Sequence, residues 1–263
     1  MADSDLTRRL IEAIQVLTKE NVQTGSGHLS ARLPGGETFL INPRYAGALA
    51  EPEDICTVNL DAKRLAGPGP LPIETIIHST IYRRRPDVGA VFHSHPRYGI
   101  LLGLLDIGFV AFKREAGLFA DGVPIFPSSQ GIHTVEMAET LADTLGDHYA
   151  VFLKGHGVVV VGPNVEATAV AAIQFENACF DQLFLMQFTK PQPLADMSHG
   201  LSGARMENPY RAWPFLLLKH GLRPKEEIRA LAISGSRETL RQAGEQAACG
   251  AFAWPIATTT GRR

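Results

Sequence analysis

Cysteine is scarce in this chain. The three present in 263 residues, Cys56, Cys179 and Cys249, lie far apart and form no paired spacing. That argues against a disulfide framework and a thiolate metal site, and favours a reducing cytosol. Excess charge of either sign is also missing. A formal net charge of −2 gives no general attraction to nucleic acid or to an anionic membrane. No apolar run approaches the roughly 18 residues of a membrane span. The segment Gly155 to Val161 reads as a buried strand by its length and β-branching. The opening Met1-Ala2-Asp3-Ser4-Asp5 is acidic and lacks the basic and apolar regions of a secretory signal. No internal repeat is found. These absences lead to the expectation of a cytoplasmic protein with neither a nucleic-acid nor a membrane partner.

What is present is ordinary for a folded protein: 45% apolar and 20% charged residues, on a chain long enough to bury a large core. The segment holding Leu10, Ile11, Ile14, Val16 and Leu17 has near-helical spacing, with Asp3 or Ser4 as its cap and a stop at Asn21. Short strands are expected at His28–Arg32, Thr38–Ile41 and Ile55–Leu60, with Pro34-Gly35-Gly36 as a hairpin turn. A Gly/Pro-rich loop ends at Pro72, which can start a helix over Ile73–Arg84. Further strands are expected near Val88–His95, Val123–Phe126, Ala150–Leu153 and Val158–Val161, with helices over Thr134–Leu145 and Val165–Phe188. Strands outnumber a simple βα alternation, which points to a mixed sheet covered by helices. After Pro193 the composition changes. Residues 1–193 are expected to form the catalytic domain, and 194–263 a helical C-terminal extension packing on it or on a neighbouring subunit.

The chemistry begins at His93-Ser94-His95, which closes the apolar run from Val88. Alternate side chains of a strand face one way, so both imidazoles share a side. His156, between Gly155 and Gly157, could complete a facial three-nitrogen site with open positions for a substrate. Zinc, manganese, iron and cobalt all suit such a donor set. Glu74 begins the Ile73 helix. It is either a favourable charge at a helix N-terminus or a general acid/base beside the metal. Shielding by Pro72 and Ile73 would raise its pKa. His78, four residues on, shares its face; a supporting hydrogen bond or simple core packing fits it better than metal binding.

Four segments stand in one order: Gly25-Ser26-Gly27-His28-Leu29-Ser30, Leu71-Pro72-Ile73-Glu74-Thr75-Ile76-Ile77-His78, Arg85 through His95, and Leu153-Lys154-Gly155-His156-Gly157. Together they resemble the class II aldolase/adducin family, over roughly residues 8 to 190. The resemblance implies an α/β fold of three layers, α/β/α, with a central mixed, mostly antiparallel sheet. It implies a homo-oligomer, usually a tetramer, acting on a small-molecule substrate. It also implies that His93, His95 and His156 bind a divalent metal (Mn, Zn, Co or Fe) and that Glu74 is the catalytic carboxylate.

Departures from the family pattern bear on the substrate. Sugar-phosphate members hold phosphate with Gly-Asn, Thr-Gly and Ser-Ser elements, where this chain has Gly27-His28, Arg44-Tyr45 and Pro72-Ile73. Loss of the hydroxyl pair removes phosphate donors and leaves an apolar wall at Ile73, suited to a flat ring. His28 and Arg44 could grip a carboxylate instead, Arg44 by a two-point fork. The aldolase branch's tyrosine position reads Lys113, and Arg211 with Trp213 could close the pocket from the extension. This pattern resembles the decarboxylase branch of the family, acting on ortho-hydroxy aromatic or heteroaromatic dicarboxylates, with Glu74 as proton donor. The alternatives are an aldolase or epimerase acting on a hydroxy-ketone, and a non-catalytic adducin-like binding module.

Overall fold

The first helix, α1 (Ala2–Lys19), forms where Leu10, Ile14 and Leu17 repeat at helical spacing and are fully buried. It begins before Asp3 and Ser4, so neither is its cap, and the chain turns out of it where Asn21 takes φ 59°. The computed structural model describes residues 2–44, 47–194 and 211–236.

Eight strands follow in the described residues: β1 (His28–Arg32), β2 (Thr38–Ile41), β3 (Cys56–Asn59), β4 (Arg64–Ala66), β5 (Ala90–Ser94), β6 (Ile125–Phe126), β7 (Ala150–Leu153) and β8 (Gly157–Gly162). They form one sheet in the order β4-β3-β2-β1-β5-β8-β7-β6. Every neighbouring pair is antiparallel except β6 and β7, so the sheet is mixed but mostly antiparallel. The β1–β2 hairpin turns on Gly35 and Gly36 at φ 96° and 82°, a left-handed pair that side-chain-bearing residues rarely adopt. Strand β4 is a finding beyond the sequence reading. All three of its residues are exposed, so no buried alternation marks it.

Helices cover both faces. On one side lie α1, α3 (Arg97–Gly103), α5 (Val165–Leu185) and α6 (Ala212–Lys219). That side packs Phe92, Phe152, Val158 and Phe175 into its core. On the other lie α2 (Thr75–Arg84) and α4 (Val135–Leu145), whose Ile77, Ile81 and Leu141 meet Val91, Val151 and Val159. The result is three layers, α/β/α. Alternation along β5 sends Phe92 to the first face, and Val91 with His93 to the second. The end of β5 and the start of α2 therefore share one side of the sheet.

The expected boundary at residue 193 falls just before 195–210, which lie outside the described residues. Helix α6 packs against α1 and α5 of its own chain, burying Trp213 and Leu217, and residues 225–236 are helical. Arg223 grips Glu12 of α1 by two bonds of 2.7 and 2.6 Å. Lys219 and His220 both reach Glu20 at 2.6 Å. Arg223→Ala leaves Glu12 only its 3.2 Å contact with Arg8. The loss expected in a thermal unfolding curve is about 1–3 kcal/mol, the range for a charged hydrogen bond deprived of its partner.

Candidate metal centre and active site

Three chain segments converge at the end of β5. His93 is its penultimate residue and fully buried. Its Nδ1–H donates to Val158 O of β8 at 2.9 Å, which fixes the tautomer and leaves a lone pair on Nε2. His95 lies just beyond the strand. Ser26 Oγ and Thr24 Oγ1 stand 3.1 and 3.4 Å from its Nδ1. Burial, with His93 and His156 nearby, pushes the His95 pKa down to about 4, keeping it a neutral potential ligand at ordinary pH. His156 sits in the turn between β7 and β8, its backbone N–H bonded to Leu153 O at 2.9 Å. The three rings are mutually 5.0–5.1 Å apart between centroids.

Glu74 arrives from the second face as the residue preceding α2. It does not cap the helix with its side chain. Instead Oε1 accepts the Ile132 N–H at 2.7 Å, which leaves Oε2 turned to His93 Nε2 at 3.2 Å and His156 Nε2 at 3.6 Å. Burial alone would raise this carboxyl. The nearby His156 and His93 rings and the Ile132 N–H outweigh it and hold the group well below the usual carboxylate range. The sequence reading expected the opposite. Of the two expected shields Pro72 is buried, but Ile73 is 54% exposed, and the Ile132 bond comes from a segment 58 residues away.

One ligand atom from each of Glu74, His93, His95 and His156 falls within 4.8 Å of the others. His93 Nε2 and His156 Nδ1 are buried without a hydrogen-bond partner, an arrangement that costs free energy unless something occupies them. With its Nδ1–H committed to Val158, His93 presents a lone pair to a carboxylate oxygen 3.2 Å away. When His93 is neutral, two electron-rich atoms face each other at that distance, and a metal cation between them, in place of a ring proton, would satisfy both. The donor set therefore fits a divalent metal.

The packing tolerates little change here. A Cβ on Gly157 would lie 2.4 Å from Ser94 O, 3.0 Å from His95 Cδ2 and 3.2 Å from His93 Cε1. The first contact is with backbone, which cannot swing away. Gly157→Ala is expected to cost about 1–3 kcal/mol through overpacking and to weaken metal retention, read by calorimetry together with metal analysis.

Sequence reasoning missed the residues that orient this cluster. Ser94 points away from its two histidine neighbours. Its Oγ donates to Val22 O at 3.0 Å and accepts the Thr24 N–H at 3.2 Å. It thereby pins the loop that carries Thr24 and Ser26 to His95. Asn42, fully buried, accepts the Leu29 N–H at 2.7 Å and holds the Pro43 carbonyl at 2.9 Å, anchoring the loop that leads to Arg44. Only the odd parity of Ser94 between two same-facing histidines could have signalled its role.

The expected substrate residues divide. His28 is brought to the cluster: it is 3% exposed, pairs with His93 across β1 and β5, and its ring lies 5.0 Å from that of His93. Ile73 is adjacent through Glu74 and open to solvent. Arg44 is exposed, with its backbone N–H on Pro70 O at 2.9 Å and no side-chain partner among the described residues. Lys113 is not brought to the cluster. Its ammonium pairs at 2.5 Å with Asp181 of α5, which covers the other face of the sheet. Arg211 immediately precedes α6, on that same face. Both positions rest on tertiary docking that their local sequence does not encode.

An open, mostly antiparallel sheet between helical layers, with three histidines and a carboxylate at one strand end, defines a class II aldolase-like protein. Residues 8–183 match the family model described as Class II Aldolase and Adducin N-terminal domain, and the chain belongs to that family. It is 30% identical to a 3,4-dihydroxyphthalate decarboxylase of Arthrobacter keyseri over 63% of this chain and 72% of that protein. It is 33% identical to a methylthioribulose-1-phosphate dehydratase of Methylococcus capsulatus over 69% of this chain and 95% of that protein. In fold it is similar to an L-fuculose 1-phosphate aldolase from Glaciozyma antarctica PI12, with a TM-score of 0.70 at 24% identity, covering 84% of this chain and 91% of the other. Class II aldolases are generally dependent on a divalent metal, and their relatives are typically oligomers acting on small molecules. No helix among the described residues is long and apolar enough to cross a membrane.

Proposed function

We propose that the chain is a metal-dependent decarboxylase of an ortho-hydroxy aromatic or heteroaromatic dicarboxylate, with His93, His95 and His156 as the metal ligands and Glu74 as the catalytic carboxylate. The observation that carries this reading is the site entrance. Where sugar-phosphate members of the family present paired hydroxyls, this chain places buried Pro72 and exposed Ile73 beside Glu74. An apolar edge favours the face of a ring over a phosphate. The Arthrobacter keyseri relative, named for decarboxylating 3,4-dihydroxyphthalate, supports the same class.

A divalent metal at the three imidazoles would supply Lewis acidity toward the negative charge that builds on the substrate. Glu74 starts as a carboxylate, so it must take a proton before it can give one. Its Oε1 is held by Ile132 and its Oε2 faces the cluster. Oε2 accepts the proton of the ring hydroxyl and delivers it to the ring carbon bearing the carboxylate. The carbon–carbon bond then breaks, its electron pair returns to the ring, and CO2 departs. The ring oxygen regains its proton from solvent. Glu74 relays one proton and ends as it began.

Substrate panels test this. Protein stripped of metal and reloaded with manganese, zinc or cobalt is incubated with 3,4-dihydroxyphthalate and with hydroxypyridine dicarboxylates. Metal-dependent CO2 release is expected from at least one. No release from metal-loaded protein would favour a second reading, aldolase or epimerase chemistry on a hydroxy-ketone. The Methylococcus capsulatus dehydratase, matched over 95% of its length, supports that alternative. The adducin-like binding module is disfavoured by the gathering of four potential ligands and by His93 Nε2, which faces Glu74 buried and without a hydrogen-bond partner.

A further inference from the structure

Glu176 lies within α5, on the helical layer opposite Glu74, and is only 7% exposed. The residues around it on that helix, Ala172, Phe175 and Cys179, are buried and apolar. No cation pairs with its carboxyl among the described residues, and burial pushes its pKa up against the pull of two backbone N–H groups. A carboxyl whose pKa is higher in the fold than in the unfolded chain subtracts from stability as pH rises past the unfolded value. Stability therefore does not account for a glutamate here.

Its two oxygens have a definite task. Oε1 accepts the Tyr98 N–H and Oε2 the Gly99 N–H, both at 2.8 Å. These N–H groups belong to the first turn of α3, where a helix offers its own donors no acceptor. Pro96 occupies the cap position and makes no side-chain bond to the turn. The acceptors come instead from 78 and 77 residues along the chain. Only a carboxylate supplies two acceptor oxygens side by side; an amide offers one and turns a donor to the other N–H.

The turn held in this way is tied to the cluster. His95 lies just beyond β5, and Pro96 alone separates it from α3, with φ at −69° and set by its ring. Gly99 brings the same turn against β8. A Cβ there would lie 2.9 Å from Val158 Cγ1 and 3.3 Å from Pro96 Cγ. Val158 is the residue whose carbonyl holds His93.

We propose that Glu176 is a positioning residue for the metal centre: by clamping the first turn of α3 it fixes the backbone that carries His95, and so the direction of that imidazole. This rests on reading the four-residue cluster as a metal centre. The clamp is made by the protein's own groups, so His95 is set in place before a metal arrives.

The test loads the metal-stripped full chain with cobalt(II), whose d–d absorption reports ligand geometry, and measures zinc affinity by chelator competition. Glu176→Gln keeps one of the two N–H bonds. It is expected to shift the cobalt spectrum and weaken zinc binding about tenfold. Leu217→Ala serves as the control, since it loosens the packing of α6 on the core away from α3. It is expected to lower the unfolding temperature and leave both metal readouts as in the wild type. An unaltered spectrum and affinity in Glu176→Gln, or equal changes in both variants, would overturn the proposal. Hydrogen–deuterium exchange, resolved to single residues by mass spectrometry, needs no variant. The Tyr98 and Gly99 amides are expected to be protected in the metal-free wild type as strongly as with zinc. Protection gained only with zinc would mean that the metal orders the turn, and would also overturn the proposal. A wild type that bound neither cobalt nor zinc would remove the metal centre itself. A metal-loaded wild type with an indifferent Glu176→Gln would remove the positioning role alone.

Discussion

His93→Ala is expected to abolish metal retention and turnover together. The side chain is fully buried, its Nδ1–H is held by Val158 O, and its Nε2 is aimed at the centre of the cluster without a hydrogen-bond partner. Loss of a group that merely supports a ligand typically weakens metal binding by about 10–100-fold, so loss of a ligand itself is expected to exceed about 100-fold. Lewis-acid stabilisation is worth several kcal/mol, so turnover is expected to fall by about 1,000-fold or more. Metal content after dialysis and turnover on the responsive substrate are the two readouts. Thermal unfolding of both metal-free proteins separates the loss of a ligand from the cavity that alanine leaves. A variant that kept full metal and full turnover would remove His93 from the centre.

Glu74→Gln separates metal binding from proton transfer. The amide is nearly isosteric and its oxygen can still accept the Ile132 N–H, now at 2.7 Å from Oε1, so the start of α2 is expected to stay in place. What it cannot do is take a proton from a hydroxyl and return it to carbon. Turnover is expected to fall by about 100-fold or more, the scale of general acid–base catalysis, with metal content unchanged. If turnover survived, Glu74 would be reduced to a charge at a helix start. If metal were lost instead, the carboxylate would be a ligand, which its place within the four-residue cluster also permits.

The pKa of Glu74 shows where reading along the chain stops. Its neighbours in sequence are apolar, and from them alone a raised value follows. Its neighbours in space are two imidazoles and a backbone N–H from residue 132, and they pull the value down. Lys113 teaches the same lesson from the other side. It stands at the aldolase branch's tyrosine position and is expected at the substrate, but α5 places Asp181 against it. Strand β4 stayed hidden because its residues are all exposed, and only pairing with β3 makes it a strand.

Periodicity and local chemistry alone determined much of this protein. The apolar repeat of α1, the glycine pair of the first hairpin, the strand that puts His93 and His95 on one side, and the four ordered motifs that mark the family are short-range signals. They were legible because each is set by backbone geometry within a few residues. Tertiary structure alone decided which atoms of those residues are free to act. The carbonyl of Val158 assigns the His93 tautomer, and Ile132 fixes one oxygen of Glu74. Hydrogen bonds between segments dozens of residues apart set proton positions, and no pattern along a single chain records them.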